Sequence, residues 1–171
     1  IVNDLLALTH TDATGQYNWA HRAVTPLLAL GGDAAQQARQ RVRFLLESDA
    51  ARDQLAGIYS VRFNAEALRD FEPELARLIS LQNQNGQEAM SGLLYLLPEN
   101  ERVERLIVYA HDPDPRVRSN VVVVVTEYGS EDGLQILDDL AANDPDISIR
   151  DAAAEAAASI REVLGEDGAS E

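Results

Sequence analysis

The sequence predicts an all-α fold: antiparallel helix pairs repeated along the chain, preceded by an irregular helical N-terminal region. Three observations predict it. Apolar residues recur at the three- and four-residue steps of amphipathic helices. One helix–turn–helix unit is written twice at a fixed offset. Hydrophobic residues make up 46% of the chain but aromatic ones only 5%, so alanine, leucine and valine must fill the core, and such small side chains suit close helix packing. The 171 residues fit one compact domain or one repeat array.

The repeat is clearest in the C-terminal part. Asp112-Pro-Asp-Pro-Arg-Val-Arg118 lies over Asp144-Pro-Asp-Ile-Ser-Ile-Arg150. Upstream of each turn is an apolar helical pattern, Val103, Leu106, Ile107 and Ala110 before the first and Leu134, Leu137, Leu140 and Ala141 before the second. A second apolar run follows each arginine, over 119–128 and 151–163. Asp114 and Asp146 are predicted N-caps, each accepting a free backbone N–H of the first turn, and Pro115 suits the first helical position. Gly129 offers a left-handed stop.

The five consecutive valines, Val121–Val125, have strand propensity when read alone. Laid over the sibling repeat they fall on Ala153-Ala-Glu-Ala-Ala157, which makes them helical. Helical spacing sends Val117, Val121, Val124, Val125 and Tyr128 inward, matching Ile149, Ala153, Ala156, Ala157 and Ile160. The outward set is Ser119, Asn120, Val123 and Glu127, matching Asp151, Ala152, Glu155 and Ser159.

Upstream, segments 73–82 and 87–97 read as another helix pair joined by the Gln-Asn-Gln-Asn-Gly run at 82–86. Asp33 is expected to cap a long helix through Ala34–Ala56, with Ala35, Ala38, Val42, Leu45, Leu46 and Leu55 on its apolar face. Gly31-Gly32 separates it from a helix near 17–30 that Pro26 should kink or split. Ile58–Phe63 reads as a helical turn rather than a strand. The expected organisation is a helical N-terminal or capping region over 1–70, repeats over 71–165 (71–97, 101–129 and 131–164), and an acidic flexible tail at 166–171.

The stretch 106–118 and its echo at 137–150 resemble HEAT-like repeats of the phycobilin-lyase type. The resemblance covers 101–163 well, 73–97 faintly and the first 70 residues hardly at all. It implies a short right-handed α-solenoid whose second helices line the concave face, where partners dock. It also implies a structural ladder in which the turn aspartate and the helix-opening arginine bond to each other or between neighbours, here Asp112 with Arg118 and Asp144 with Arg150. The Asp-Pro-x-x-x-Val-Arg of the leucine-rich variant repeat is similar but belongs to a shorter unit. An ankyrin flavour in Thr25–Asp33 and Val42–Ser48 has no second copy.

Several chemistries are closed. No cysteine is present, and all 14 basic residues are arginine, so thiol, thiolate-metal, Schiff-base, P-loop and lysine-base chemistry are excluded. The three histidines, His10, His21 and His111, lack the spacing that places two metal ligands on one helical face. His111 fits a helix C-terminus, where positive charge suits the dipole, and His21 beside Trp19 and Arg22 fits a packed amphipathic helix. The adjacent acids Glu131-Asp132 and Asp138-Asp139 diverge around a helix. No catalytic, cofactor or metal site is expected, and the His-Glu pairs of HEAT-like di-iron hydroxylases are missing.

Charge carries the functional reading. The chain has 29 acids against 14 arginines, a net charge of −15. Residues 1–97 hold 11 acids and 8 arginines, whereas 98–171 hold 18 and 6. Such a field repels nucleic acid and anionic membranes; it suits a basic protein partner, simple solubility or a high-salt host. No apolar run approaches the ~20 residues of a membrane span, and the N-terminal eight residues are no signal peptide, so a cytoplasmic location is expected. The first residue is not methionine, which suggests a processed chain or a piece of a longer one. The leading expectation is a non-enzymatic scaffold binding a protein partner through Ser119, Asn120, Val123, Glu127, Asp151, Glu155 and Ser159. The alternatives are a bilin lyase or chaperone-like subunit, and a structural segment of a larger polypeptide.

Overall fold

A computed structural model describes residues 20–62, 64–128 and 131–167. Among them the only regular elements are ten helices: α1 Ala20–Leu30, α2 Gly32–Glu47, α3 Ala51–Val61, α4 Ala65–Asp70, α5 Glu72–Leu78, α6 Gln84–Tyr95, α7 Glu99–Ala110, α8 Pro115–Tyr128, α9 Glu131–Asn143 and α10 Ile147–Asp167. The all-α expectation holds, including helix at Ile58–Val61 and through the valine run. The chain forms two compact units divided between Leu78 and Ile79. The predicted pair 71–97 is cut by that division, with α5 in one unit and α6 in the other.

In the first unit α1, α2 and α3 pack on one another, and α2 also carries α5. Ala23, Leu27 and Ala38 form one buried cluster there. The predicted 34–56 helix is two helices, because Ser48 turns extended and stops α2. Asp33 does not cap α2. Gly31 and Gly32 both adopt positive φ, so the cap falls on Gly31, and Asp33 sits in the first turn, where its charge suits the dipole. α1 runs through Pro26 without a break in the helix. Arg39 pairs with Asp70 at 2.8 Å, Arg43 with Glu74 at 2.7 Å, and Arg77 Nη2 donates to Leu46 O at 3.0 Å, fastening α2 to the segment that follows α3.

In the second unit α6, α8 and α10 form one layer and α7 and α9 the other, the arrangement of stacked helix pairs in an α-solenoid. α8 is central and packs against α6, α7, α9 and α10. That position settles the valine question energetically. Val117, Val121, Val122, Val124 and Val125 are all buried. Each gains about 1.5–3 kcal/mol from burial, against a helix-propensity cost of at most ~0.7 kcal/mol.

The glutamine-asparagine turn is shorter than predicted. Asn83 caps α6 by accepting the N–H groups of Asn85 (2.9 Å) and Gly86 (3.3 Å), which starts the helix at Gln84. The flexible tail expected from 166 is helical through Asp167; residues 168–171, Gly129, His10, Trp19 and the side chain of His21 lie outside the described residues. No helix among the described residues is long and apolar enough to cross a membrane.

Candidate functional site

The Asp-Pro-Asp turns use their two aspartates differently. The first makes a turn: Asp112 Oδ1 accepts Asp114 N–H, and Asp144 Oδ1 accepts Asp146 N–H, both at 2.8 Å. The second caps the helix: Asp114 Oδ1 accepts Arg116 N–H, and Asp146 Oδ1 accepts Ser148 N–H, both at 2.9 Å. The side-chain and backbone donors of Arg116 hold the Asp114 carboxyl below its ordinary range, and those of Ser148 do the same for Asp146. Four residues into each helix an arginine reaches back to the turn. Arg118 Nη1 donates to Asp112 O at 2.9 Å, and Arg150 Nη1 to Asp144 O at 2.6 Å.

The structure brings only some of the predicted ladder carboxylates and guanidinia together. Within a repeat, arginine meets the aspartate's backbone carbonyl, not its carboxylate. Between repeats, Arg118 Nε and Nη2 donate to both oxygens of Asp144, at 2.7 and 3.1 Å. This bidentate pair is buried, the side chains being 8% and 1% exposed. Burial pushes the Asp144 carboxyl up, but the hydrogen bonds from Arg118 and Asp146 N–H outweigh it and leave the pKa below its ordinary value. The same bond raises that of Arg118. Asp112 and Arg150 have no such ion-pair partner among the described residues. A cleft of about 330 Å³ lies over the pair, lined by both Asp-Pro turns.

A third turn of this kind was not read from the sequence. Ser48 Oγ accepts Ala50 N–H at 3.1 Å, as Asp112 accepts from Asp114, and Gln54 Nε2 donates to Ser48 O at 2.8 Å, as Arg118 does to Asp112 O. Donor and acceptor are six residues apart in all three turns. The second helices accordingly begin at regular intervals, at residues 51, 84, 115 and 147. The region expected to be irregular therefore contains a helix pair, α2–α3, that shares the turn and the six-residue bond but not the side-chain cap.

The predicted docking face is placed unevenly. Glu127, Asp151, Glu155 and Ser159 are exposed, and Ser119 and Val123 are half-buried. Asn120 corrects the expectation: it is 1% exposed, and its Nδ2 donates to both Ile79 O and Leu81 O at 2.8 Å. It ties α8 to the turn before α6 and faces no solvent. Tyr128, expected inside, is 49% exposed, whereas Val122, assigned to neither face, is buried. Gly86 shares the Asn120 contact, since a Cβ there would collide with Leu81 O and stand 2.6 Å from Asn120 Nδ2.

The acid pairs diverge. Asp138 binds Arg161 at 2.6 Å, whereas Asp139 accepts from Asn143 and stands 3.4 Å from His111 Nε2. His111 closes α7, with its Nδ1 2.9 Å from Ile107 O. Among the described residues no three His, Asp or Glu side chains converge as metal ligands.

No curated protein and no solved structure matches the chain. A family profile of HEAT repeats matches residues 67–158, which takes in the turn before α6, both Asp-Pro-Asp turns and the Arg118–Asp144 pair. The chain belongs to the HEAT-repeat family.

Proposed function

We propose that the protein is a non-enzymatic scaffold that binds a basic protein partner through the acidic surface of its C-terminal repeats. HEAT repeats commonly serve as protein-interaction scaffolds. The observation that carries the reading is the outward side of α8 and α10, where Glu127, Asp151 and Glu155 are exposed on neighbouring helices and form no ion pair with any described residue. The nearby arginines are otherwise engaged: Arg116 holds Asp114, Arg118 holds Asp144 and Arg161 holds Asp138. Val123 adds an apolar contact beside Glu127. Surface charge of this kind accelerates encounter with a basic partner and is screened by salt.

The test is affinity capture from the native host at low ionic strength, repeated at high ionic strength. Partner binding is expected to weaken with salt and with the combined substitutions Glu127→Arg, Asp151→Arg and Glu155→Arg. Capture that is insensitive to both salt and charge reversal refutes the electrostatic scaffold. The bilin-handling alternative draws on the turn motif alone, and that motif is used within the fold to close turns and join repeats. A purified chain that neither binds nor transfers a bilin, with or without a partner subunit, disposes of it.

A further inference from the structure

The layer opposite the second helices carries an apolar groove that the charge argument does not use. α7 and α9 lie side by side. Val103 and Ile107 of α7 face Ile136 of α9 across a groove of about 220 Å³, and Asp132, Asp139 and His111 stand on its rim. Ile107 is 45% exposed, Val103 is half-buried and Ile136 forms the buried floor. A contiguous apolar groove bordered by polar side chains, unlike a singly exposed apolar residue, marks a binding site.

Size and charge decide the occupant. The groove is smaller than the ~300–1,000 Å³ of small-molecule sites, which suits side-chain anchors of a larger partner. The rim carboxylates call for cationic flanking groups. Asp132 has no ion-pair partner among the described residues, and Asp139 has only His111, at 3.4 Å.

We propose that the α7–α9 groove binds a basic amphipathic helix of a protein partner. Two apolar side chains one helical turn apart enter over Ile107 and Ile136, and flanking arginine or lysine meets Asp132 and Asp139. The proposal rests on the scaffold reading for the partner's charge, but it places docking on the first-helix layer rather than on Glu127, Asp151 and Glu155.

The test uses the full chain and three fluorescein-labelled helical peptides. One carries leucines at i and i+4 flanked by arginines, the second has the leucines replaced by serine, and the third has the arginines replaced by glutamate. Fluorescence anisotropy is expected to show binding of the first alone. Ile107→Ser, and separately the pair Asp132→Asn with Asp139→Asn, should each weaken it roughly tenfold or more, the effect of losing about 1.4 kcal/mol of contact. All are surface changes, and circular dichroism checks that the helices persist. Equal binding of the serine peptide, wild-type affinity in Ile107→Ser, or no binding of the first peptide overturns the proposal. If Asp151→Arg with Glu155→Arg abolishes binding while the groove variants retain it, the groove assignment falls and the scaffold reading stands. If the chain also captures no partner in a salt-dependent manner, both fall.

Discussion

Removing the Arg118 guanidinium strands a charge. In Arg118→Ala, Asp144 keeps one donor, the Asp146 N–H at 2.8 Å, and its carboxylate, only 1% exposed in the intact pair, loses its counter-charge. Breaking a buried pair from one side costs about 3–5 kcal/mol, because the remaining charge has lost its partner in a poorly solvated place. Arg161→Ala is the internal control: that pair with Asp138 is about half exposed on both sides, and its loss should cost no more than ~1 kcal/mol. The difference, about 2–5 kcal/mol, corresponds to a roughly thirty- to several-thousand-fold change in the opening equilibrium. Native-state hydrogen exchange of the α8 and α10 amides reads it locally, and urea denaturation reads it for the whole chain. A double-mutant cycle with Asp144→Ala should return a coupling energy of about 1–3 kcal/mol. Acid adds a sign test. The folded Asp144 carboxyl titrates below its unfolded value of about 3.9, so its stabilisation is complete above that pH and drains as pH falls through the folded value. That acid-sensitive component should shrink in Arg118→Ala. Equal destabilisation by Arg118→Ala and Arg161→Ala, or additivity in the cycle, refutes the buried rung.

Three further outcomes are expected. Asn120→Ala leaves one buried and one part-buried carbonyl without their donor and should cost about 1–3 kcal/mol in urea midpoint analysis. Asn120→Asp should cost more, and increasingly so as pH rises, because only the protonated acid can donate to those carbonyls. Gly86→Ala drives a methyl into Leu81 O and Asn120 and should cost about 1–3 kcal/mol or more, with faster exchange at the start of α6. Gln54→Ala loses the bond to Ser48 O, about 1 kcal/mol, whereas Gln54→Arg should restore near wild-type stability if the turn accepts either donor.

The C-terminal repeats were legible because their turns are spelled in residues with strong local geometry. Proline follows the turn aspartate in both repeats, as Pro113 and Pro145, and aspartate serves both the turn and the cap, so the pattern survives as letters. The α2–α3 turn repeats two of these hydrogen bonds through Ser48, Ala50 and Gln54 but has no side-chain cap, and none of those residues declares itself in a single sequence. A hydroxyl replaces a carboxylate and an amide replaces a guanidinium; the backbone carbonyl acceptor and the six-residue spacing persist. What could have found it is that spacing, a short polar acceptor followed six residues later by a long side-chain donor. The predicted Asp33 cap failed for a related reason, since two consecutive glycines at positive φ reset the helix start by backbone geometry that side-chain patterns do not display.

The docking face was read less well than the fold, and the cause is the number of neighbours each helix has. Helical spacing divides a helix into an inward and an outward side, but α8 is contacted by α6 on one flank and α10 on the other as well as by α7 and α9. Position 120 is therefore interior, while Ala152, which aligns with it, is exposed on α10. Likewise Val122 is covered and its counterpart Ala154 is not. Two residues at equivalent repeat positions thus have opposite solvent exposure, so a binding surface cannot be carried from one repeat to the next by alignment. Once both flanks of α8 are occupied, its accessible outward stripe narrows to Ser119, Val123 and Glu127, two of them half-buried. A partner on this layer must draw most of its contacts from the wider exposed face of α10. Exposed apolar side chains stand on both layers, Tyr128, Ile147 and Val163 on the second helices and Ile107 on α7, and of these Ile107 lines the α7–α9 groove. Charge can steer a partner to either layer, but apolar burial sets how long it stays, and in the α7–α9 groove that burial would come from Val103, Ile107 and Ile136, which line one concave site rather than standing singly.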